Sequence, residues 1–204
     1  MSTVQVDTIN ESTTGSGVTI DGVLIKDGNV DGVDVSGITS SITQGITMAD
    51  QWRLTANATM GSMAYLTANW ERNDSTGNGV PFGTGLTESS GQFTFPSTGI
   101  YLIHITNTSQ AAASFANRFA LNVTTDNFSS SSDVCWAYSR NGTASGSTTL
   151  QQTSSNSYIF DVTDTSTHKF RINAGVLTAG ATTTLLGSTT IQHTGFSVFR
   201  IGDT

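Results

Sequence analysis

Between Gly91 and Ile103 the chain reads Gly-Gln-Phe-Thr-Phe-Pro-Ser-Thr-Gly-Ile-Tyr-Leu-Ile. A proline can end a strand but donates nothing to a central ladder, and a glycine accepts the positive φ of a tight corner. The stretch therefore predicts a strand over 92–95, a corner at Pro96 and Gly99, and a second strand in which Tyr101 and Ile103 share a face.

The rest of the chain beyond residue 50 repeats the strand signal. Period-two alternation, or short apolar runs, predicts strands at 52–55, 63–66, 100–106, 115–124, 133–139, 158–162, 168–173 and 190–201. Clusters of Ser, Thr, Asn and Gly separate them at 73–79, 126–132, 141–147 and 151–156. Short strands at regular spacing between such turns mean an all-β sandwich. Only 11% of residues are charged, against the roughly 25% of an ordinary soluble domain. The outer strand faces should therefore be neutral and polar.

The spacing Gly91-x-Phe93-x-x-Pro96-x-x-Gly99-x-Tyr101 resembles the core of the globular heads of the complement and tumour-necrosis-factor superfamily. Asn69-Trp70-Glu71-Arg72, Gly83-Thr84-Gly85 and Thr194-Gly195-Phe196-Ser197-Val198-Phe199 fit the same pattern, so the resemblance covers roughly residues 50–202. It implies a jelly-roll head that assembles as a homotrimer, with aromatic packing near the three-fold axis from the strands holding Tyr101, Phe196 and Phe199. Tyr101, Ile103, Phe196 and Phe199 are accordingly the candidate core and trimer-interface residues. The Asn-Trp-Glu and Phe-Pro-Ser-Thr-Gly variant is similar to heads on virion proteins of tailed bacteriophages, marine ones above all.

Charge locates a boundary. Residues 1–50 hold seven acids and one base, Lys26, for −6, and residues 51–204 carry −1, which together give the net −7. The expected division is an N-terminal stalk or attachment segment over 1–50 and a jelly-roll head over 51–204. In the first segment Val18, Ile20, Val23, Ile25, Val30, Val33, Val35 and Ile38 are interleaved with glycines at a spacing that fits neither a long strand nor a helix. Short extended pieces broken by turns fit better. So few large side chains give no core of their own, and three copies wound around an axis would supply the missing partners. Val6–Ser12 and Gly17–Val23 also look like segments of phage structural and fibre proteins. Asp27-x-Asn29-x-Asp31-Gly32 matches the front half of a calcium loop, with oxygen ligands at positions one, three and five. Position twelve is Ile38 instead of a bidentate Glu, so a reverse turn with solvated acids is preferred. Asp27, Asn29 and Asp31 stay a weak calcium candidate, and no cofactor is expected.

The remaining chemistry is thin. His104, His168 and His193 form no pair at metal-ligand spacing, and no Gly-x-Ser-x-Gly elbow occurs. His104 should face away from Ile103 and Ile105. Cys135 is the only cysteine, which excludes an internal disulfide and fits a packed structural role. Neither half has the basic cluster that nucleic-acid phosphates require, no apolar run is long enough to span a membrane, and no secretory signal is visible. Trp70, Trp136, Tyr101, Tyr158 and Phe160 could line a glycan-binding surface, but their alternation favours core or interface. The expectation is a homotrimeric, non-enzymatic structural protein of a phage virion, assembled in the host cytoplasm. It would be a capsid decoration or head-fibre protein whose partners are itself and a capsid or tail protein. The alternatives are a tail fibre that recognises a host surface glycan or protein through the loops, and a carbohydrate-binding module.

Overall fold

The computed structural model describes residues 15–16, 18–20, 23–26, 29–30, 33–34, 45–111, 115–141 and 150–204, and every helix-or-strand element among them is a strand. The chain divides into two compact units, residues 1–45 and 46–204. In the first, β1 (Val18–Ile20), β2 (Val23–Lys26), β3 (Asn29–Val30) and β4 (Val33–Asp34) form an antiparallel meander in chain order. Its register sets Val18 opposite Ile25, Ile25 opposite Val30, and Val30 opposite Val33. The paired apolar positions are seven, five and three residues apart along the chain, which is why their spacing in the sequence slips.

The second unit is a two-sheet antiparallel sandwich. Its strands are β5 (Met48–Leu54), β6 (Ala58–Met60), β7 (Ala64–Tyr65), β8 (Trp70–Arg72), β9 (Thr87–Ser89), β10 (Gln92–Thr94) and β11 (Gly99–Ala111). They continue with β12 (Phe115–Thr124), β13 (Ser132–Asn141), β14 (Leu150–Val162), β15 (Lys169–Val176), β16 (Thr183–Leu185) and β17 (Gly195–Gly202). One sheet runs β13-β12-β15-β10-β9, with β7 also paired to β15. The other runs β6-β16-β11-β17-β5-β8, with β14 on the opposite edge of β11. Such a strand order is a jelly roll. The Pro96–Gly99 corner carries the chain from β10 in one sheet to β11 in the other. Gly99 has φ +146°, and a Cβ there would collide with the Arg200 side chain, so glycine is required.

The motif residues build the core. Phe93 is fully buried and packs edge-on against Trp52, Trp70 and Phe196 at centroid distances of 5.3, 5.5 and 4.7 Å, and stacks on Phe170 at 5.1 Å. Phe95 lies 4.5 Å from Tyr101, whose phenol donates to the Ser97 carbonyl at 2.9 Å and so ties the corner to the strand that follows it. Further along the sandwich the inner positions turn polar. Asn117 accepts from Ser139 at 2.7 Å and donates to Ser109 at 2.9 Å, all three buried.

Three readings of the sequence need correction. The strand expected over 190–201 begins only at Gly195, as β17. The segment 151–156, expected as a loop, belongs to β14, which pairs with β11 along its whole length. Serine, threonine and glutamine hide the strand from a hydrophobic pattern, yet they form a ladder with β11: Thr153 to Thr108 at 2.9 Å, Gln151 to Gln110 at 3.3 Å, Ser157 to His104 at 2.8 Å. The first head strand begins at Met48, four residues before the expected start, so Asp50 is not an acid of the N-terminal segment. It is 1% exposed inside the sandwich.

Asp50 accepts hydrogen bonds from Arg72 Nε at 2.9 Å, Arg72 Nη2 at 3.1 Å, the Trp52 indole at 3.0 Å and the Leu86 amide at 2.8 Å. Gly85 lies against this pair, where a Cβ would sit 2.6 Å from Asp50 Oδ2 and 2.8 Å from Arg72 Nη2. On the opposite side of β5, the fully buried Arg53 reaches Glu71 and Asp74 at 2.6 Å, Asn73 at 2.8 Å, Ser75 at 2.7 Å and the Thr189 carbonyl. The Asn-Trp-Glu-Arg and Gly-Thr-Gly motifs thus encode a buried charge network at one edge of the sandwich.

A chain starting at Ile46 is expected to fold as a β-rich unit with one cooperative urea transition, whereas one starting at Gln51 loses Asp50 and should not. Asp50→Ala in the full chain should cost about 3–5 kcal/mol, at the lower end because Arg72 reaches solvent, read from the urea midpoint.

Candidate interaction faces

Because neighbouring residues on a strand point to opposite faces, the buried set defines what each sheet turns outward. On the sheet containing β11, Tyr101, Ile103 and Phe196 point inward and are at most 1% exposed, so these three candidates lie in the core of the single chain. Phe199 points outward and is half-buried. The register places it in a row across the sheet: Ile159 opposite Leu102, Leu102 opposite Phe199, Phe199 opposite Ala49, and Ala49 bridged to Phe82. Ile159 and Phe82, at the ends of the row, are 59% and 54% exposed. Beside this row runs a polar one, Ser157, His104, Ser197 and Gln51, with Gln51 donating to Ser197 at 3.0 Å. His104 lies on the face expected of it.

The other sheet turns out a different surface. Trp136 and Tyr138, two apart on β13, are 49% and 51% exposed, and Tyr65 on β7 is 41% exposed. The Arg118 guanidinium lies 4.8 Å from the Trp136 ring, and that of Arg171 lies between Tyr65 at 3.5 Å and Phe128 at 4.2 Å. Asp133 accepts from Arg118 at 3.0 Å, Asn122 at 2.8 Å and Asn173 at 3.2 Å, and Asn122 in turn accepts from Arg171 at 2.9 Å. Arg118 Nε is buried with no partner.

Phe128 is held over Arg171 by an unusual turn. Asn127 and Phe128 have φ of +56° and +64°, a left-handed conformation costing on the order of 1 kcal/mol per residue. Thr124 Oγ1 accepts the Phe128 amide at 2.9 Å, and Asp126 accepts the Ser130 hydroxyl at 2.6 Å and its amide at 2.9 Å. Those Ser130 bonds, helped by the Thr124 hydroxyl, hold the Asp126 carboxyl down at about 2.

The other candidates resolve as follows. Asp27 and Asp31 lie outside the described residues, as do positions 142–147 of the third expected recognition loop, while the Asn29 backbone is in β3. In the 73–79 loop, Asn73, Asp74, Ser75 and Asn78 are occupied with Arg53, Gln51 and one another. Among the suggested glycan-facing aromatics, Tyr101 and Phe160 are core, Trp70 and Tyr158 pack against it, and Trp136 alone stands outward. Cys135 is half-buried against the core, and burial pushes its thiol up. His168 stacks on Phe160 at 5.7 Å. No cluster of three or more metal-ligating side chains occurs among the described residues. Tyr65, Phe128, Arg118 and Arg171 had no signal in the sequence, because the register that gathers them joins strands distant along the chain.

The Asp126 carboxyl has a folded value below its unfolded one, so its support of the turn is complete above 3.8 and is lost as pH falls through about 2. The Phe128 amide resonance should therefore shift over that acid range, and an Asp126→Ala chain should lack the transition.

No protein-family model matches the chain, and no curated protein does. Solved structures do. An Eiger tumour necrosis factor from S. frugiperda superposes with a TM-score of 0.58 at 10% identity, over 78% of this chain and 95% of that one. Murine APRIL superposes with a TM-score of 0.51 at 10% identity, over 74% of this chain and 97% of that one. The head has the jelly-roll fold of the tumour-necrosis-factor type.

Proposed function

We propose that the chain is a non-enzymatic, homotrimeric structural protein of a tailed-phage virion, anchored to a capsid or tail protein by its N-terminal segment and projecting the jelly-roll head. The observation that carries the trimer is the apolar row Ile159, Leu102, Phe199, Ala49 and Phe82. It crosses five strand positions, about 19 Å, on the outside of a sheet whose inside is already filled. An exposed apolar patch of this breadth marks an interaction surface. A second copy of the chain is its occupant, as the likeness of the 91–101 motif to trimeric heads suggests. The virion assignment rests on the Asn-Trp-Glu and Phe-Pro-Ser-Thr-Gly variant and on the phage-like segments near residues 6–23.

Capsid decoration is the preferred placement, and imaging of the particle that carries the chain tests it. A receptor-binding fibre is the second reading, favoured by the aromatic and amide groups on the opposite sheet; a free-standing carbohydrate-binding module is the third.

Light scattering on the purified chain should give three times 21.4 kDa, and a stable monomer at micromolar concentration would end the trimer model. Phe199→Ser should yield a folded monomer. Tyr101→Ser should instead unfold the head, because that ring is buried within one chain and its removal costs about 3 kcal/mol or more.

A further inference from the structure

We propose that the outward face of the β13-β12-β15 sheet, with β7 and the 124–131 turn, binds an acidic saccharide. The inference does not depend on the trimer reading, since it uses the other sheet. Four of the head's seven bases, Arg118, Arg140, Lys169 and Arg171, lie on this one face, in a chain of net charge −7. Only Asp133 and Asp126 stand among them. Lys169 donates to Asn127 at 2.6 Å and Arg171 to Asn122 and Ser131, so neither is neutralised by a carboxylate. Positive charge left uncompensated in an acidic chain selects an anionic partner.

The rings say what kind of anion. Trp136 and Tyr138 stand exposed two residues apart on one strand, and Tyr65 lies three strands away from Trp136 along one register row, about 14 Å. A pyranose stacks its C–H face on such rings and turns its hydroxyls and carboxylate to the polar groups between them. Those groups are fixed beforehand. Arg171 lies between Tyr65 and Phe128 with Nε and Nη2 donating to Asn122 and Ser131, which leaves the Nη1 side of its edge to a ligand, and Arg118 is held by Trp136 and Asp133. The Asp133 carboxylate, set among the amides of Asn122 and Asn173, accepts a sugar hydroxyl but repels a phosphodiester backbone, which favours a saccharide over a nucleic acid. The left-handed Asn127 and Phe128, fixed by the Thr124 and Asp126 bonds, place the Phe128 ring over Arg171.

Saturation-transfer NMR on the full chain with a galacturonate trisaccharide, and with its neutral galactose counterpart, tests this. The acidic sugar should bind and transfer from aromatic protons, and 0.5 M salt should weaken it several-fold. Trp136→Ala should abolish transfer and Arg171→Gln should weaken binding tenfold or more. Lys169→Gln, which removes a charge but keeps the Arg171 guanidinium and both of its rings, should weaken it by a smaller factor, while Phe199→Ser should still bind sugar. Equal binding of the two sugars, binding of neither at millimolar concentration, indifference to both charge changes, or displacement of the sugar by a single-stranded oligonucleotide would each overturn the proposal.

Discussion

A buried carboxylate with every lone pair occupied holds one edge of the sandwich together. Taking Asp50 and part of Arg72 out of water costs several kcal/mol per ion, and the fold tolerates it only where the geometry returns that energy. Here five donors from three chain segments, the Gln51 amide among them, converge on one carboxylate, and Arg72 also lies 4.9 Å over the Trp52 ring and donates to the Leu86 carbonyl at 2.7 Å. Any shift of β5 against β8 would leave charges unpaired, so the interaction fixes register more than it adds stability. Trp70, the neighbour of Glu71 and Arg72, is thereby delivered to the aromatic cluster around Phe93, and β5 is pinned beside β17. On its other edge β5 pairs with β17 in the register that sets Ala49 opposite Phe199, so the strand that carries the buried pair also carries one position of the outer apolar row.

The corner at Pro96–Gly99 was legible because its constraints are local: proline, glycine and a tyrosine two positions on leave few alternatives. The strand over 115–124 was legible because Phe119, Leu121 and Val123 face a core. What escaped the sequence escaped for one reason in two forms. The strand β14 carries hydroxyls and amides on both faces over residues 151–157, so no hydrophobic period marks it, and its pairing comes from cross-strand bonds to β11. Likewise Asp50 looked like one more acid of an acidic segment, since burial of a charge depends on partners 22 and 36 residues away. The Asn-Trp-Glu-Arg motif was noticed as a pattern, but its meaning as two ion pairs needed the register of β5 and β8.

The candidate interface residues divide along the same line. Alternation put Tyr101 and Ile103 on one face correctly, but which face of a sandwich strand meets its own second sheet and which meets a neighbour is a question of sheet order. Tyr101, Ile103 and Phe196 answer one way and Phe199 the other. Alternation sets Trp136 on the same face as Tyr138 and suggests core, but both rings are exposed. On β13 the inward set is Cys135, Ala137 and Ser139, small residues that leave the larger Trp136 and Tyr138 outside. A strand that buries its small side chains and exposes its rings inverts the usual order of burial.

That inversion separates the two outward faces by chemistry. The row through Leu102 and Phe199 offers methyl and ring surface with no polar group in it, so it gains from contact with any complementary apolar surface and loses from remaining wet, which suits a permanent subunit contact. The face through Trp136 and Arg171 already satisfies most of its polar atoms and spends backbone strain to hold them, so dry burial against protein would strand the guanidinium edges. Such a surface gains from a ligand that brings hydroxyls and a negative charge and can leave again. On these two proposals one face of the head serves assembly and the other exchange, with the buried Asp50–Arg72 pair lying in the sheet of the first.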